Sequence, residues 1–412
     1  MLKTVTKKVK SLNASHVLAV VFLLFIIFVG LAAFPQFMTN TAAFFQNGGS
    51  IQEYIDTIDD QYYGMLEAKA GQPVLQDKGT YINLNGLMAN VLGQPIMNER
   101  LKLTNGHLSF INETPPKQEA IEAAADNIAR LCQKQLENGK HFLFVLCPSQ
   151  ISKYEDLLPA GHTDPTNDTA DTLLQLLDER DVPYLDLRES MREDGLNHDD
   201  SFYVTDHHWL PQTGFWAYTK ILDKLEQLGA ISPVDTFYTQ TENYEFRTYE
   251  DTFLGSSGKR TGIYYAGVDD SCFIAPKFDT DISVNIDSIS ISKQGRYEDV
   301  SYATWGTLTP DEVDYFNYNS YGLYGWGDWA LTQWRNENAP QEGKFMLIGE
   351  SFGNIPYSLM SIYMESCDEL DMRHYTDDFA SYFESYDPDT VILEVNVDQA
   401  VSDNTTYAYF PE

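Results

Sequence analysis

The sequence predicts an α/β fold in which helices flank a parallel-rich sheet. Three strongly apolar runs carry this prediction: HFLFVLC at 141–147, KFMLI at 344–348 and TVILEV at 390–395. Strands buried on both faces of a parallel sheet show such continuous runs, whereas half-exposed strands alternate apolar and polar residues. Segments with helical periodicity separate the runs, which is typical of a sheet wound with helices on both faces.

Helices are predicted where apolar residues recur near a period of 3.6. The clearest helix covers 116–138, and it ends before Gly139, a common helix terminator. The other predicted elements are helices at 169–180, 211–228 and 353–365 and a short strand at 183–187. Their alternation with the apolar runs gives the element order of a wound α/β sheet.

Residues 232–340 interrupt this rhythm. They are rich in Tyr, Asp, Gly, Ser and Thr, and the stretch ISVNIDSISI at 282–291 alternates apolar and polar residues. We therefore predict a β-rich insertion within an α/β domain that covers 105–412. Residues 41–104 are weakly patterned and are predicted to be a stalk that leads into the fold.

The N-terminal residues 1–40 predict a cytoplasmic basic tail followed by a transmembrane helix. Four lysines precede an unbroken apolar run at 17–34, VLAVVFLLFIIFVGLAAF. As a helix this run spans about 27 Å, close to the roughly 30 Å of a hydrocarbon core. Positive charge stays on the cytoplasmic side, so the body is predicted to be membrane-anchored and extracytoplasmic, at the cell surface. A cleaved signal peptide, with Ala32 and Ala33 near the cut, is the alternative.

Composition restricts the possible partners. The chain has 61 acidic and 27 basic residues, a formal net charge of −34, which argues against nucleic acid. Its 26 Tyr and 6 Trp residues suit the faces of sugars as well as a core. The four cysteines have no metal-site spacing, and no cofactor is predicted. Cys147, at the end of an apolar run, is expected to be a buried free thiol, while a disulfide stays open for an exported protein.

The first motif that carries chemistry is FMLIGESFGN at 345–354, in which a buried strand runs into a predicted helix. Ser351 would lie on the strand-to-helix turn, at the carboxyl edge of the sheet, where open α/β sheets bind ligands. The helix N-terminus offers free N–H groups and a positive dipole end, which can stabilise a developing oxyanion. A serine that only caps the helix is the alternative.

The second motif is TDHHW at 205–209, which places a carboxylate and two imidazoles side by side. A serine nucleophile needs a base, and the base needs a group that holds its tautomer. Asp206 and one histidine supply both parts, but the residues alone do not distinguish His207 from His208. A metal site and a solvated loop are the alternatives; no second cluster of ligands completes a metal site in the sequence.

Together, the two motifs resemble known families. TDHHW is similar to the signature of the DHHW-motif proteins and to the Thr-Asp-x-His-Trp signature of alginate O-acetyltransferases, which have an SGNH-hydrolase-like fold. In these families the Asp-x-His pair precedes the serine, as it does here. The resemblance covers roughly residues 80–400. It implies Ser351 as nucleophile, His208 as general base and Asp206 as the carboxylate that orients it.

The resemblance also implies a function. An extracytoplasmic serine enzyme would move an acetyl group to an envelope polysaccharide or exopolysaccharide, with a membrane partner as acetyl donor; with water as acceptor it would be a carbohydrate esterase. Asn354, Gly349 and His207 are candidates for contact with the substrate or the oxyanion. The serine block reads Gly-Glu-Ser where the family has Gly-Asp-Ser. A non-catalytic carbohydrate-binding or assembly protein on the same fold is therefore the alternative from another class.

One further string has catalytic spacing. Asp371-Met372-Arg373-His374 is a D-x-x-H sequence, the spacing that many SGNH hydrolases use for their Asp and His. Only 20 positions separate Asp371 from Ser351. We therefore predict that His374 begins the next strand, on the opposite edge of the sheet, and that Arg373 pairs with a buried acid.

Overall fold

The computed structural model describes residues 78–302 and 313–401, together with positions 20, 22–24, 27, 31 and 38–39. All contacts discussed below lie within the compact unit formed by residues 83–412. The strands are β1 (Ile96–Met97), β2 (Arg100–Lys102), β3 (Leu108–Phe110), β4 (His141–Leu146), β5 (Tyr184–Asp186), β6 (Tyr244–Phe253), β7 (Asp269–Pro276), β8 (Ile282–Ile286), β9 (Ile291–Gly295), β10 (Leu331–Arg335), β11 (Gln341–Gly349), β12 (Met364–Asp371) and β13 (Thr390–Val395).

The α-helices within residues 78–302 and 313–401 are α1 (Lys78–Val91), α2 (Gln118–Glu137), α3 (Thr166–Asp178), α4 (Leu187–Asp194), α5 (Pro211–Gln227), α6 (Ser256–Thr261), α7 (Ile263–Ala266), α8 (Tyr297–Val300), α9 (Asn354–Tyr363), α10 (Phe379–Tyr386) and α11 (Val397–Ala400). Single 3₁₀ turns lie at Thr236–Thr239, Thr241–Asn243, Asp287–Ile289, Tyr321–Leu323 and Ser351–Gly353.

A mixed eight-stranded sheet forms the centre of the fold, in the order β5-β4-β13-β11-β12-β10-β8-β9. The strands from β5 to β12 in this order pair in parallel. β10, β8 and β9 continue the sheet beyond β12 as antiparallel strands. The three apolar runs thus form the neighbouring parallel strands β4, β13 and β11, and the predicted α/β fold with flanking helices is confirmed.

Alternate residues of the parallel strands enter two separate cores. Leu143 and Leu347 pack into a core on the face covered by α5 and α9. Phe144 and Met346 pack into the opposite core, against α2, α3 and α10. All four side chains are fully buried. Because both faces of each strand are covered, apolar side chains are favoured along its length, and Glu394 of β13 is a buried exception.

The segment 232–340, predicted to be β-rich, contains β6 to β10. β6 and β7 pair with each other, whereas β8, β9 and β10 belong to the main sheet. The alternating stretch 282–291 is not one strand, because β8 ends at Ile286 and a 3₁₀ turn leads into β9. Ser290 closes this turn in the left-handed conformation, with φ of 57°.

The predicted transmembrane helix at 17–34 lies for the most part outside the described residues. Within the part of the chain that is described, no helix has the length and apolarity needed to cross a membrane. Of the predicted stalk at 41–104, only residues from 78 onward are described, and they form α1, β1 and β2.

Gly214 marks a close approach between α5 and α9. A Cβ at this position would lie 2.7 Å from Cγ2 and 2.8 Å from Cβ of Ile355. We predict that Gly214→Ala overpacks this contact and lowers the free energy of unfolding by about 1–3 kcal/mol. At an unobstructed helix position, replacing glycine by alanine instead raises the free energy of unfolding by roughly 1 kcal/mol.

Urea denaturation measures this difference, and Gln227→Ala, at an exposed position of the same helix, is the control. The control should change the free energy of unfolding by less than about 0.5 kcal/mol. A Gly214→Ala protein as stable as the wild type would contradict the tight contact.

Candidate active site

Ser351 lies just beyond the central strand β11, at the carboxyl edge of the parallel strands, and begins the 3₁₀ turn that leads into α9. Glycines make this turn possible, because a Cβ at Gly349 or Gly353 would lie 2.8 Å from the ring of Tyr357. Tyr357 is fully buried, and its hydroxyl donates a 2.9 Å hydrogen bond to the carbonyl of Ile348. The strand, turn and helix predicted around the serine are therefore present.

The TDHHW segment forms a loop that is closed by a bridge between Phe202 and Trp209. Thr205 anchors the loop: its hydroxyl and its N–H donate to Oδ2 of Asp269 at 2.6 and 2.8 Å. Trp209 is fully buried, and its ring centroid lies 5.2 Å from that of Phe352, which follows the serine. The tryptophan thus packs the loop against the serine turn.

The loop and the turn bring three predicted residues together across 143 positions of sequence. His208 Nε2 lies 2.7 Å from Ser351 Oγ. His208 Nδ1 lies 2.5 Å from Asp206 Oδ1. All three residues are buried. In this arrangement the imidazole can take the hydroxyl proton while the carboxylate holds the tautomer and stabilises the imidazolium.

Asp206 is held by further donors. Its Oδ2 accepts the N–H of Ser256 at 2.6 Å, and its Oδ1 accepts the N–H of His208 at 3.1 Å. Gly255 allows this approach, since a Cβ there would lie 2.3 Å from Cβ of Asp206. Burial by itself raises the pKa of Asp206, but the two adjacent imidazoles and the hydrogen bonds outweigh burial and hold the pKa well below its usual range. The carboxylate therefore stays ionised.

Aromatic rings enclose the His208 imidazole. Tyr321 stacks on it with centroids 4.0 Å apart and an angle of 14° between the planes. Phe352 lies on another side, at 5.0 Å. The Tyr321 hydroxyl donates a 2.8 Å hydrogen bond to the carbonyl of Ser351, so one side chain contacts both the base and the serine. Sequence reasoning missed Tyr321, because nothing sets it apart from the many tyrosines around it.

His207 occupies a different position from His208. Its Nδ1 lies 3.4 Å from the hydroxyl of Ser256, and its ring packs at 5.1 Å against Phe110. Burial and the nearby His208 lower the pKa of His207 to about 3, so this ring is neutral at neutral pH. His207 lines the same cavity as Ser351 but makes no hydrogen bond to it. The geometry thus separates two histidines that the sequence left open.

Asn354 and Gly349, the other candidates for oxyanion contact, are placed elsewhere. The Asn354 amide donates a 3.0 Å hydrogen bond to Oδ1 of Asp328, and neither candidate lines the cavity at the serine. Gly349 is instead the last residue of β11, paired with Asp371. The first N–H groups of a helical turn have no partner within it, so those of Ser351 and Phe352 are available as donors.

The prediction for His374 is wrong. β12 follows α9 directly and ends at Asp371, so the D-x-x-H string lies beyond the carboxyl end of a strand parallel to β11, at the same edge as Ser351. The interval after the serine holds a helix and a whole strand, not only a helix and a turn. The His374 side chain is 53% exposed. Arg373 pairs with the buried Asp371, as expected.

Ser351 opens into a cavity of about 270 Å³ at the carboxyl edge of the sheet. Uncharged polar side chains supply much of its wall: Ser109, Asn112, Ser149, Gln150, Thr166 and Asn167. Hydroxyl and amide groups both donate and accept hydrogen bonds, which suits a ligand rich in hydroxyls. Phe110 adds an apolar surface to the same wall.

Asp206, His207 and His208 also lie close enough together to share a metal ion, since one ligand atom of each lies within 4.8 Å of the others. No other such group occurs among the residues that the structure describes. In the observed arrangement both ring nitrogens of His208 are already engaged, one by Asp206 and one by Ser351. A metal ion bound to His208 would have to displace one of these contacts.

Residues 110–254 match the family model of the SGNH hydrolase-like domain of the acetyltransferase AlgX. The matched segment contains the TDHHW loop and ends before Ser351. This match confirms the resemblance to SGNH-hydrolase-like, alginate acetyltransferase-type proteins. A search of the curated proteins finds no match.

Two solved structures are similar in fold. Bacillus cereus PatB1, determined with a sulfonyl adduct, superposes with a TM-score of 0.63 at 19% identity, covering 77% of this chain and 99% of that chain. A DHHW family protein from Eubacterium siraeum superposes with a TM-score of 0.57 at 14% identity, covering 76% and 95%. At these identities the likeness shows the fold alone, and the family match describes it as an SGNH-like α/β fold.

Two buried glutamates lie beside the serine turn. Glu350 accepts the N–H of Asn396 at 2.8 Å, and Glu394 Oε1 lies 3.0 Å from the sulfur of Cys147. Burial raises the pKa of Glu350 to about 7 and that of Glu394 to about 8. Both carboxyl groups therefore hold protons in the folded protein at pH values where an exposed glutamate has lost them.

This burial predicts a dependence of stability on pH. Above about pH 4.5 Glu394 ionises in the unfolded chain, but the folded protein keeps its proton up to about pH 8, so stability falls as the pH rises through this window. Glu394→Gln cannot ionise, and it should gain stability relative to the wild type between pH 5 and pH 8. Urea denaturation at both pH values tests this.

Glu137→Gln, at an exposed position of α2, is the control. Its free energy of unfolding should change with pH as that of the wild type does. If the free energy of unfolding changed equally with pH in the wild type, Glu394→Gln and Glu137→Gln, Glu394 would have the same pKa in the folded and unfolded states, contrary to the prediction.

Proposed function

We propose that this protein is a serine O-acetyltransferase that modifies hydroxyl groups of a polysaccharide outside the cytoplasm. The 2.7 Å contact between His208 Nε2 and Ser351 Oγ, with Asp206 on the other ring nitrogen, carries the proposal. Fold alone does not specify function, which depends on the site. The match to the AlgX acetyltransferase domain supports acetyl as the group transferred.

The reaction proceeds in two halves. Ser351 Oγ attacks the carbonyl carbon of an acetyl ester while its proton passes to His208 Nε2. The carbonyl electron pair moves to oxygen and returns when the donor oxygen leaves, taking the proton from the imidazolium. A sugar hydroxyl then gives its proton to His208 and attacks the acetyl-serine, and Ser351 recovers its proton as it departs. Asp206 stabilises the imidazolium in both halves.

The cavity supports a sugar as acceptor. The uncharged polar side chains of its wall offer partners for several hydroxyl groups, and Phe110 offers an apolar face. If water took the place of the sugar in the second half-reaction, the same residues would catalyse ester hydrolysis. The acceptor of the acetyl-serine therefore distinguishes transferase from esterase.

The location is also a proposal. The apolar run at 17–34 and the lysines before it support a membrane tether with the body at the cell surface, where envelope polysaccharide and exopolysaccharide are found. An acetyl donor outside the cytoplasm would have to be supplied by a membrane partner that moves acetyl groups across the bilayer.

Removing the nucleophile or the base should abolish transfer. Ser351→Ala and His208→Ala are each expected to lower kcat by about 10⁴-fold or more, because the serine and its base act as a unit. Release of p-nitrophenol from p-nitrophenyl acetate measures the first half-reaction. Transfer of acetyl to soluble oligosaccharides measures the second. A sulfonyl fluoride should label Ser351 in the wild type and not in Ser351→Ala.

His207→Ala is the matched control, since His207 neighbours the base but makes no hydrogen bond to Ser351. It should change kcat by less than about tenfold. Circular dichroism checks that each variant folds. Equal rates for wild type and Ser351→Ala, with no labelling of the wild type, would favour the non-catalytic carbohydrate-binding or assembly protein.

Topology can be tested on cells. Protease added to intact cells should digest the body and spare a tag at the N-terminus, because the lysines hold the N-terminal side in the cytoplasm. Lysed cells, in which both parts are digested, are the control. A body that is protected in intact cells would contradict the proposed location and the envelope substrate.

A further inference from the structure

Two guanidinium groups lie in the wall of the cavity, and they differ in how their donors are used. Arg188 is saturated: Nε donates to Asp186, Nη1 to the backbone and side-chain oxygens of Asn167, and Nη2 to Asp171 and Asp186. A guanidinium has five N–H donors, and every one of these has a partner. Arg188 is therefore a structural group with no donor left for a ligand.

Arg373 is fixed just as firmly but is not saturated. Its Nε donates to both oxygens of Asp371, and its Nη2 donates to Asp371 and to Oδ2 of Asp328. Nη1 makes no hydrogen bond within the described residues. Glu350 Oε2 lies 3.9 Å from Nη1, too far for a hydrogen bond. Nη1 is thus the one nitrogen of this firmly held guanidinium without a hydrogen bond in the described part of the chain, and Arg373 lines the cavity.

The pairing of β11 with β12 places Arg373 at the same edge of the sheet as Ser351. Gly349 pairs directly with Asp371 across the two parallel strands. β11 ends at Gly349 and β12 ends at Asp371, about 4.8 Å apart, and Ser351 and Arg373 each lie two residues beyond these strand ends. Both residues line the same cavity.

A serine acyl enzyme needs donors at the oxygen that becomes negative in the tetrahedral intermediate. The backbone N–H groups of Ser351 and Phe352 are available, but Asn354, the side chain expected to assist them, is bonded to Asp328. That same carboxylate also receives Nη2 of Arg373. We propose that Nη1 of Arg373 is the side-chain donor of the oxyanion site. This inference rests on the proposed function and assigns a further catalytic residue to it.

The role is confined to one oxygen of the reaction. When Ser351 Oγ bonds to the acyl carbon and its proton passes to His208, the carbonyl electron pair becomes an oxyanion that accepts hydrogen bonds from Nη1. When the carbonyl re-forms, the leaving oxygen takes the proton from His208, and Nη1 again faces a neutral oxygen. Asp371 and Asp328 balance the charge of Arg373, so the site favours an oxyanion that develops during reaction over a ground-state anion.

Release of p-nitrophenol by the purified full chain tests the assignment. Arg373→Gln should lower kcat by about 10²–10³-fold, the loss typical of an oxyanion donor, with KM nearly unchanged. Arg335→Gln is the matched control, because Arg335 pairs with the buried Asp368 and does not line the cavity. It should keep wild-type kcat.

If Arg373→Gln does not fold, Arg373→Lys decides, since it keeps the charge but not the forked geometry and should lose at least about tenfold in kcat. A folded Arg373 variant with wild-type kcat, or one whose loss lies only in the KM of the sugar acceptor, overturns the assignment while Ser351→Ala remains inactive. Full activity of Ser351→Ala would overturn the proposed function, and the assignment with it.

Discussion

One buried carboxylate, that of Asp206, holds the parts of the site in a single arrangement. Its oxygens accept hydrogen bonds from the N–H of Ser256 and from His208, so the histidine loop and the start of α6 are fixed to the same group. A buried charge without such donors would be strongly destabilising. The fold must therefore satisfy this charge, and in doing so it sets the imidazole that reaches Ser351. The requirement of stability and that of chemistry are met by the same contacts.

The serine depends on a second constraint, the close packing beneath its turn. Gly349 and Gly353 leave room for the ring of Tyr357, whose hydroxyl is bonded to the end of β11. Tyr321 covers the general base, since its ring stacks on His208 and its hydroxyl donates a hydrogen bond to the carbonyl of Ser351. Two tyrosines thus restrict the nucleophile and the base from different sides, without taking part in proton transfer.

The central strands could be predicted because burial on both faces leaves a strongly apolar run, interrupted only at Glu394 within β13. Ser351, His208 and Asp206 could be named because reactive residue types are concentrated in two short motifs. The position of Arg373 could not be predicted, because it depends on whether a whole strand fits between α9 and the D-x-x-H string. The contact of Tyr321 with His208 could not be predicted for another reason. Ring stacking depends on neighbours in three dimensions, and the sequence around Tyr321 contains many other tyrosines.

All four cysteines of the chain are unpaired and buried. Cys132 lies in α2, Cys147 follows β4, Cys272 lies in β7 and Cys367 lies in β12. The thiols are therefore distributed over both helices and strands of the fold. Burial raises the pKa of each of them, and the thiolate is the form that reacts. Cys132, Cys272 and Cys367 do not line the cavity at Ser351, so these three thiols become open to alkylation when the element around them opens. Local unfolding of the separate layers can thus be followed in the native protein without introducing a label.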